Sequence, residues 1–154
     1  MDRDSGEADF RSFVSDVEPR LRRALVAAYG HDRGRDAAAE ALAYAWEHWK
    51  DVSEMANPAG YLFRVGQSRT RRPRHGAPLF RATSPELPWV EPALPGLLAR
   101  LPERQRVAVC LVHGYGFTYK ETAELMGIGL STVQKHVERG LARLRERLEV
   151  TDNA

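Results

Sequence analysis

Proline is concentrated in one stretch of this 154-residue chain, and that stretch limits what the chain can fold into. Six of the nine prolines lie in residues 73–95, among Gly, Ser and Thr. Proline fixes φ and lacks the backbone N–H that a helix interior or a central strand needs. We therefore predict a linker over 73–95, which separates a piece spanning 1–72 from a piece spanning 96–154.

Each piece is close to the lower size limit of an independent domain. A domain of ~60 residues buries only about 60% of the surface that its unfolded chain exposes, so its core is marginal. The 43% hydrophobic and 29% charged residues are typical of a globular protein. No apolar run is long enough to cross a bilayer, and the first residues do not resemble a signal peptide, so we expect a cytoplasmic protein without membrane insertion.

Few residues are arranged for chemistry. The single cysteine, Cys110, excludes an internal disulfide framework and is predicted to be a small buried hydrophobe. The five histidines have no metal-ligand spacing, and Gly114 and Gly116 lack the other glycines of a dinucleotide loop. We therefore predict that the protein is not an enzyme and has no metal or cofactor.

The first piece has the periodicity of three or four helices. Apolar residues recur at three- and four-residue steps from Phe10 to Ala28, and Pro19 is predicted to begin a second helix. Gly30 and Gly34 are predicted to bracket a turn. The next apolar face consists of Ala38, Leu42, Ala45, Trp46 and Trp49. For Trp46 we favour a role in core packing.

A further helix is predicted after Asn57, a capping side chain followed by Pro58 at the first helical position, with Pro73 as its stop. Residues 57–81 contain no acid and six arginines. This charge pattern fits a phosphate-binding surface and a solvated basic face equally well. Tyr61, Leu62 and Val65 are predicted to face inward, which leaves the arginines at 64, 69, 71 and 72 for the other side and the end.

The second piece has the signals of a helix-turn-helix. A helix from Pro102 to about His113 is predicted to end in the turn at 114–116. Thr118 and Glu121 then have capping-box spacing. The helix-turn-helix pattern continues with Ala123, a small residue where the two helices touch. Gly127 is free to take positive φ in the turn, and Val133 is an apolar anchor for the second helix.

The second helix of this motif is predicted to be capped by Ser131. Its buried stripe consists of Val133, Val137, Leu141, Leu144 and Leu148. Its outer side chains suit base and phosphate contacts in a major groove, where Gln pairs with adenine, Arg or Lys with guanine, and Glu accepts from cytosine. For Gln134, three residues after Ser131, a second capping box competes with base reading, and we favour the capping role. The alternative for the whole motif is a plain three-helix bundle.

Segments 101–106, 116–135 and 144–148 resemble region 4 of bacterial sigma-70 family factors. Segments 36–46 and 57–65 resemble region 2 of the same family. The two-domain layout is similar to the extracytoplasmic-function group, and this resemblance implies an all-α fold. It also implies core RNA polymerase and promoter DNA as partners, with an anti-sigma factor as a further candidate partner.

The resemblance implies residue roles as well. Contacts with the −35 element are expected at Thr118, Ser131, Thr132, Gln134, Lys135, His136, Glu138, Arg139 and Arg143. The loop from Lys50 to Asn57 is expected to take a flipped base, and contacts with the −10 strand are expected at Tyr61, Arg64, Ser68, Arg71 and Arg72. Core packing of Tyr61 stays open as an alternative.

The stretch before the matched glutamate, Glu40, departs from the family pattern. It is usually more acidic and leucine-bearing for polymerase contact, but here three alanines separate Asp36 from Glu40. These two acids are the candidate polymerase-binding residues. The leading hypothesis is a promoter-specific sigma factor. Because of the alanine-rich stretch, the alternative is a DNA-binding regulator without initiation activity. A third hypothesis is a helical interaction module without DNA function.

Overall fold

The computed structural model describes residues 3–70 and 93–153, and the described residues form an all-α fold without strands, as predicted. The helices before the predicted linker are α1 (Arg3–Tyr29), α2 (His31–Glu47), α3 (Trp49–Ser53) and α4 (Pro58–Thr70). Those after it are α5 (Leu94–Arg100), α6 (Glu103–Val109), α7 (Tyr119–Met126) and α8 (Leu130–Asp152), with a π-helical turn at Cys110–Gly114. Among the described helices, none is long and apolar enough to span a membrane.

Most of the predicted linker, residues 73–92, lies outside the described residues, as does Pro73, the predicted stop of α4. Of its last three positions, Ala93 precedes α5, and Leu94 and Pro95 form the start of that helix. Proline is tolerated there because the first turn of a helix has no partner for its N–H groups. The division into two domains stays a prediction.

Pro19 does not begin a second helix, which corrects the prediction. It lies inside α1, which continues from Arg3 to Tyr29. A proline in a helix interior removes one backbone hydrogen bond. Val17 and Leu21, on either side of it, are buried in one core, so packing of the apolar stripe outweighs that local loss.

The turn between α1 and α2 uses Gly30 alone. Gly30 has φ 88°, a left-handed conformation that favours glycine, and α2 begins at the next residue. Gly34, predicted to close the turn, is instead buried within α2. A Cβ at Gly34 would lie 2.5 Å from the backbone N and Cα of Val26, so this glycine lets α1 and α2 cross closely.

The largest apolar core takes side chains from both sides of the predicted linker. Leu25 of α1 and Leu62 of α4 share it with Val107, Leu111 and Leu125. Gly66 of α4 allows this packing, because a Cβ there would lie 2.7 Å from Leu25 Cδ1. Two smaller cores secure α8 against its neighbours: one with α5 and α6, the other with α6 and α7.

Cys110 lies at the start of the π-helical turn and is partly buried. Burial raises the pKa of its thiol to about 11. The side chain is therefore a neutral thiol at ordinary pH, although it is only partly buried and not fully buried as predicted.

Candidate nucleic-acid interface

The turn between α7 and α8 has the predicted local structure. The Thr118 hydroxyl accepts a hydrogen bond from the Glu121 backbone N–H at 3.0 Å, and the Glu121 carboxylate accepts one from the Thr118 backbone N–H at 3.1 Å. The hydrogen bond from the Thr118 backbone N–H to the carboxylate lowers the pKa of Glu121, and a hydrogen bond between the two side chains adds to this effect. Gly127 ends α7 with φ 65°, as a left-handed helix cap requires. The capping box and the glycine turn are therefore confirmed.

The start of α8 differs from the prediction. The helix begins at Leu130, and the carbonyl of Gly129 accepts from the N–H groups of Thr132 and Val133, each at 3.1 Å. Ser131 lies inside the first turn, so it is not the capping residue. The second capping box that we favoured for Gln134 is therefore wrong, and the exposed Gln134 side chain is available to a ligand.

The buried and exposed sides of α8 are divided as the apolar stripe predicts. Val133, Val137 and Leu144 are buried, and Leu141 and Leu148 pack partly buried against the same cores. The exposed predicted residues of this helix are Ser131, Gln134, Lys135, Glu138, Arg139 and Arg143, while Thr132 is half-buried. Three cations, Lys135, Arg139 and Arg143, thus lie on the exposed part of a helix whose N-terminus is directly preceded by a turn.

His136 differs from the other predicted base contacts. Its side chain is only partly exposed, and both ring nitrogens are buried without a hydrogen-bond partner. This burial, together with the positive charges of Arg104 and Arg139, lowers its pKa. His136 is therefore neutral at ordinary pH and turned toward the protein.

Asn57 caps α4, as predicted, and also contacts the other side of the molecule. Its Oδ1 accepts from the Gly60 N–H at 3.0 Å. Its Nδ2 donates to the backbone carbonyl of Glu124 in α7 at 2.5 Å. A candidate −10 residue is thus hydrogen-bonded to the first helix of the helix-turn-helix, a contact for which the sequence has no signal.

The other candidate −10 residues are spread along α3 and α4. Lys50, Arg64 and Ser68 are exposed, although the Ser68 hydroxyl donates to the Val65 carbonyl at 2.7 Å. A Cβ at Gly127 would lie 2.8 Å from an Arg64 guanidinium nitrogen, so Arg64 reaches the turn of the helix-turn-helix. Arg71 and Arg72 lie outside the described residues.

The two aromatic alternatives have different outcomes. Trp46 is 51% exposed, so the core packing that we favoured for it is wrong; its ring lies against Phe10, with 4.9 Å between ring centroids. Tyr61 is half-buried against the main core, and its hydroxyl lies 3.1 Å from that of Tyr44. Its position is compatible with both packing and contact with a ligand.

Asp36 and Glu40 are exposed on α2, whereas Ala37 and Ala38 between them are buried. Two of the three alanines that depart from the family pattern therefore belong to the main apolar core. Asp36 lines a groove of about 680 Å³ between α1 and α2, where Glu18 and Arg22 form an ion pair at 2.8 Å. Within residues 3–70 and 93–153, no cluster of His, Cys, Asp or Glu is arranged to hold a metal ion.

Comparison with known proteins finds a family that is similar to the segment containing the helix-turn-helix. Residues 93–144 match the family described as Sigma-70, region 4. This segment, about a third of the chain, is similar to sigma-70 region 4. It includes α7 and most of α8, and with them every residue predicted to contact a −35 element.

The fold of the whole chain is similar to that of a solved sigma factor. RpoE from Bartonella quintana, determined in complex with the anti-sigma factor NepR, is 24% identical, with a TM-score of 0.59. The similarity covers 92% of this chain and 98% of that chain, so it includes helices on both sides of the predicted linker. No curated protein matches the sequence.

Proposed function

We propose that this protein is a sigma factor that directs promoter-specific transcription initiation as a subunit of RNA polymerase. The observation that carries the proposal is the exposed cationic side of α8, held by a capped turn within the segment that matches region 4. The fold shared with RpoE over almost the whole chain supports the extension to region 2. Core polymerase and promoter DNA are then the partners, and an anti-sigma factor is a further candidate.

The candidate contacts with the −35 element divide by chemistry. Gln134 and Glu138 suit base edges, whereas Lys135, Arg139 and Arg143 suit phosphates or guanine. The N-terminus of α8 adds free backbone N–H groups and a partial positive charge. Since three exposed cations neutralise about three phosphates, log affinity for duplex should fall against log salt with a slope near roughly −3 from α8 alone.

Run-off transcription tests the proposal directly. Core polymerase with this protein should initiate on members of a promoter library that core alone does not transcribe, and the selected members should share upstream and −10 sequences. Absence of initiation with a core that other sigma factors activate would contradict the proposal. Co-purification with core separates the alternative, because a DNA-binding regulator without initiation activity should bind duplex but not polymerase.

A matched pair of variants connects the result to α8. Lys135→Ala should weaken duplex binding and reduce the salt slope by about 1. Arg145→Ala removes the same charge from an exposed site ten residues further along the helix, about 15 Å away, and should change binding less. Equal effects of the two variants would show that the region 4 helix is not positioned on DNA as proposed.

A further inference from the structure

The crossing of α6 and α8 contains polar groups that packing alone does not require. Gly140 lets the two helices approach closely, because a Cβ there would lie 2.7 Å from Val109 Cγ2 and 3.5 Å from Gln105 Cβ. His136 lies one turn before Gly140, on the same side of α8. Gln105 and His136 therefore both lie at this crossing.

Three polar atoms at the crossing are buried without a hydrogen-bond partner. They are Oε1 of Gln105 and both ring nitrogens of His136. Gln105 as a whole is only 8% exposed. Buried polar atoms in folded proteins nearly always have a partner, so atoms that lack one require an explanation, such as a functional role or a bound ion. A protonated imidazole has a second N–H donor, and Gln105 Oε1 is an acceptor.

Two arginines lie next to His136. Arg139 is three residues along α8, a spacing that makes side chains neighbours on a helix surface. Arg104 directly precedes Gln105 in α6, and its positive charge, like that of Arg139, acts on the His136 ring. Both arginines are exposed, and neither has an ion-pair partner among the described residues. We call Arg104, His136 and Arg139 the α6–α8 cluster.

The acids nearest in sequence do not neutralise the α6–α8 cluster. Glu103 is hydrogen-bonded to Tyr29, and its Oε1 lies 3.5 Å from Gln67 Nε2. Glu138 is exposed and lies two residues from His136, a spacing at which helix side chains do not face each other. Within the described part of the chain, both charges that act on His136 are therefore cations.

These charges oppose a proton on His136 when no ligand is bound. Burial and the two positive charges lower its pKa, so the ring is neutral at ordinary pH. An anion between the two guanidinium groups would cancel part of that repulsion and favour the protonated ring. Because coupling between two ligands is reciprocal, a proton on His136 would equally favour the anion.

We propose that the α6–α8 cluster is a phosphate site shared by two helices, at which a backbone phosphate of duplex DNA binds together with one proton on His136. Arg104 is then a phosphate contact outside the predicted −35 residues. His136 acts through the two arginines rather than on a base, and DNA binding becomes stronger as the pH falls. This inference rests on the proposed function for the identity of the DNA ligand, but the anion site itself is tested without DNA.

Nuclear magnetic resonance of the histidine rings tests the site without DNA. The probe is sulfate, whose charge does not change over the range in which histidine titrates, with chloride in the reference sample at equal ionic strength. Sulfate should raise the pH at which His136 titrates and leave the exposed His113 unchanged. Arg104→Gln should raise the titration of His136 without sulfate and reduce its response to sulfate. If sulfate does not move His136 in the parent protein, the phosphate site is wrong.

Duplex binding at two pH values tests the coupling to DNA. The probe is a random-sequence duplex with a rhodamine label, and circular dichroism checks that each protein is folded at both pH values. Affinity should rise by about tenfold between about pH 7.5 and about pH 5.5, since one coupled proton changes a binding constant by at most tenfold per pH unit. His136→Gln should lose most of this rise, whereas His113→Gln should keep it. An equal rise in all three proteins would overturn the coupling.

A second pair of variants tests the new contact. Arg104→Gln should reduce the slope of log affinity against log salt by about 1, as expected when one phosphate contact is lost. Arg35→Gln makes the same substitution at an exposed site on α2 and should leave the slope unchanged. A slope for Arg104→Gln equal to that of the parent protein would exclude Arg104 from the site.

The outcomes separate the phosphate site from the proposed function. If sulfate raises the titration of His136 but no duplex binds at either pH, the anion site stands and the DNA function fails. If the protein binds duplex and initiates transcription while His136 responds to neither sulfate nor DNA, the proposed function stands and the phosphate site is wrong.

Discussion

The two halves of the molecule present their candidate DNA residues in different ways. In the region 4 segment, a turn and one helix bring most of the predicted residues to an exposed side, and local hydrogen bonds fix that turn. In the α1–α4 half, the candidates are spread over two helices and a loop, and Asn57 is engaged by α7. The comparison shows that a surface made within one motif depends on local signals, whereas a surface made by crossing helices depends on contacts distant in sequence.

The largest effect should come from breaking the helix crossing of the first half. Gly34→Ala places a Cβ 2.5 Å from backbone atoms of Val26, and backbone cannot yield as a flexible side chain does. Overpacking costs typically 1–3 kcal/mol and occasionally more, so we expect a loss of about 3 kcal/mol in the free energy of unfolding. Urea denaturation followed by circular dichroism measures this change.

Gly6→Ala is the matched control, because it makes the same substitution inside α1 with nothing within 4 Å of the new Cβ. It should stabilise the protein by about 0.5–1 kcal/mol, since alanine is the better residue in an open helix interior. If both variants shifted stability in the same direction, close crossing at Gly34 would not be the cause.

The next largest loss of stability should come from the turn between α7 and α8, in the other half of the molecule. Gly127→Ala puts a Cβ on a residue with φ 65° and forces the nearby Arg64 side chain to move. A left-handed conformation costs a residue with a Cβ roughly 1–2 kcal/mol, so thermal unfolding should show a loss of that size. Gly127→Asn should lose less, because asparagine accepts this conformation more readily. Equal losses would point to the Arg64 contact rather than to backbone strain.

How much of each half is predictable from sequence follows from the same distinction. The capping box at Thr118 and the turn at Gly127 involve residues a few positions apart, so their spacing predicts them, and the fold class follows from helical periodicity. Ser131 shows the limit of this reasoning: a serine near a helix start fits the cap, yet the helix begins one residue earlier. Boundaries of this kind commonly shift by one or two residues.

The contacts that the sequence does not predict join residues far apart in the chain. Arg106 bonds to carbonyls 78 and 79 positions away. Nothing in a segment with two arginines, Arg104 and Arg106, indicates which of them is buried or which helix end it meets. Gly34 is a residue type that favours turns, but here it allows α1 and α2 to cross closely. The exposure of Trp46 depends on how much of it Phe10 covers. Each of these positions is set by tertiary packing, which overrides the local signal.

A smaller effect tests the local motif itself. Thr118→Ala removes the hydroxyl that accepts from the Glu121 N–H, and loss of such a cap costs about 1 kcal/mol. Thr118→Ser keeps the hydroxyl and should retain most of the stability. Urea unfolding of the pair provides the measurement, and a serine variant as unstable as the alanine variant would mean that the threonine methyl, not the cap, stabilises α7.

The smallest effect is a pH dependence of stability caused by His136, whose side chain is turned inward on the otherwise exposed side of α8. Its folded pKa is below the ordinary 6.5 because of burial and the charges of Arg104 and Arg139, so the unfolded chain binds the proton more readily. The stability that His136 contributes is therefore present above about pH 6.5 and is lost as the pH falls toward the depressed value. His136→Gln should flatten this dependence when urea unfolding is compared at about pH 5.5 and about pH 7.5. A different result would be an unchanged pH dependence of stability together with a loss of duplex binding. His136 would then be turned toward a base rather than toward the protein, and all of the predicted base contacts on α8 would belong to one exposed surface.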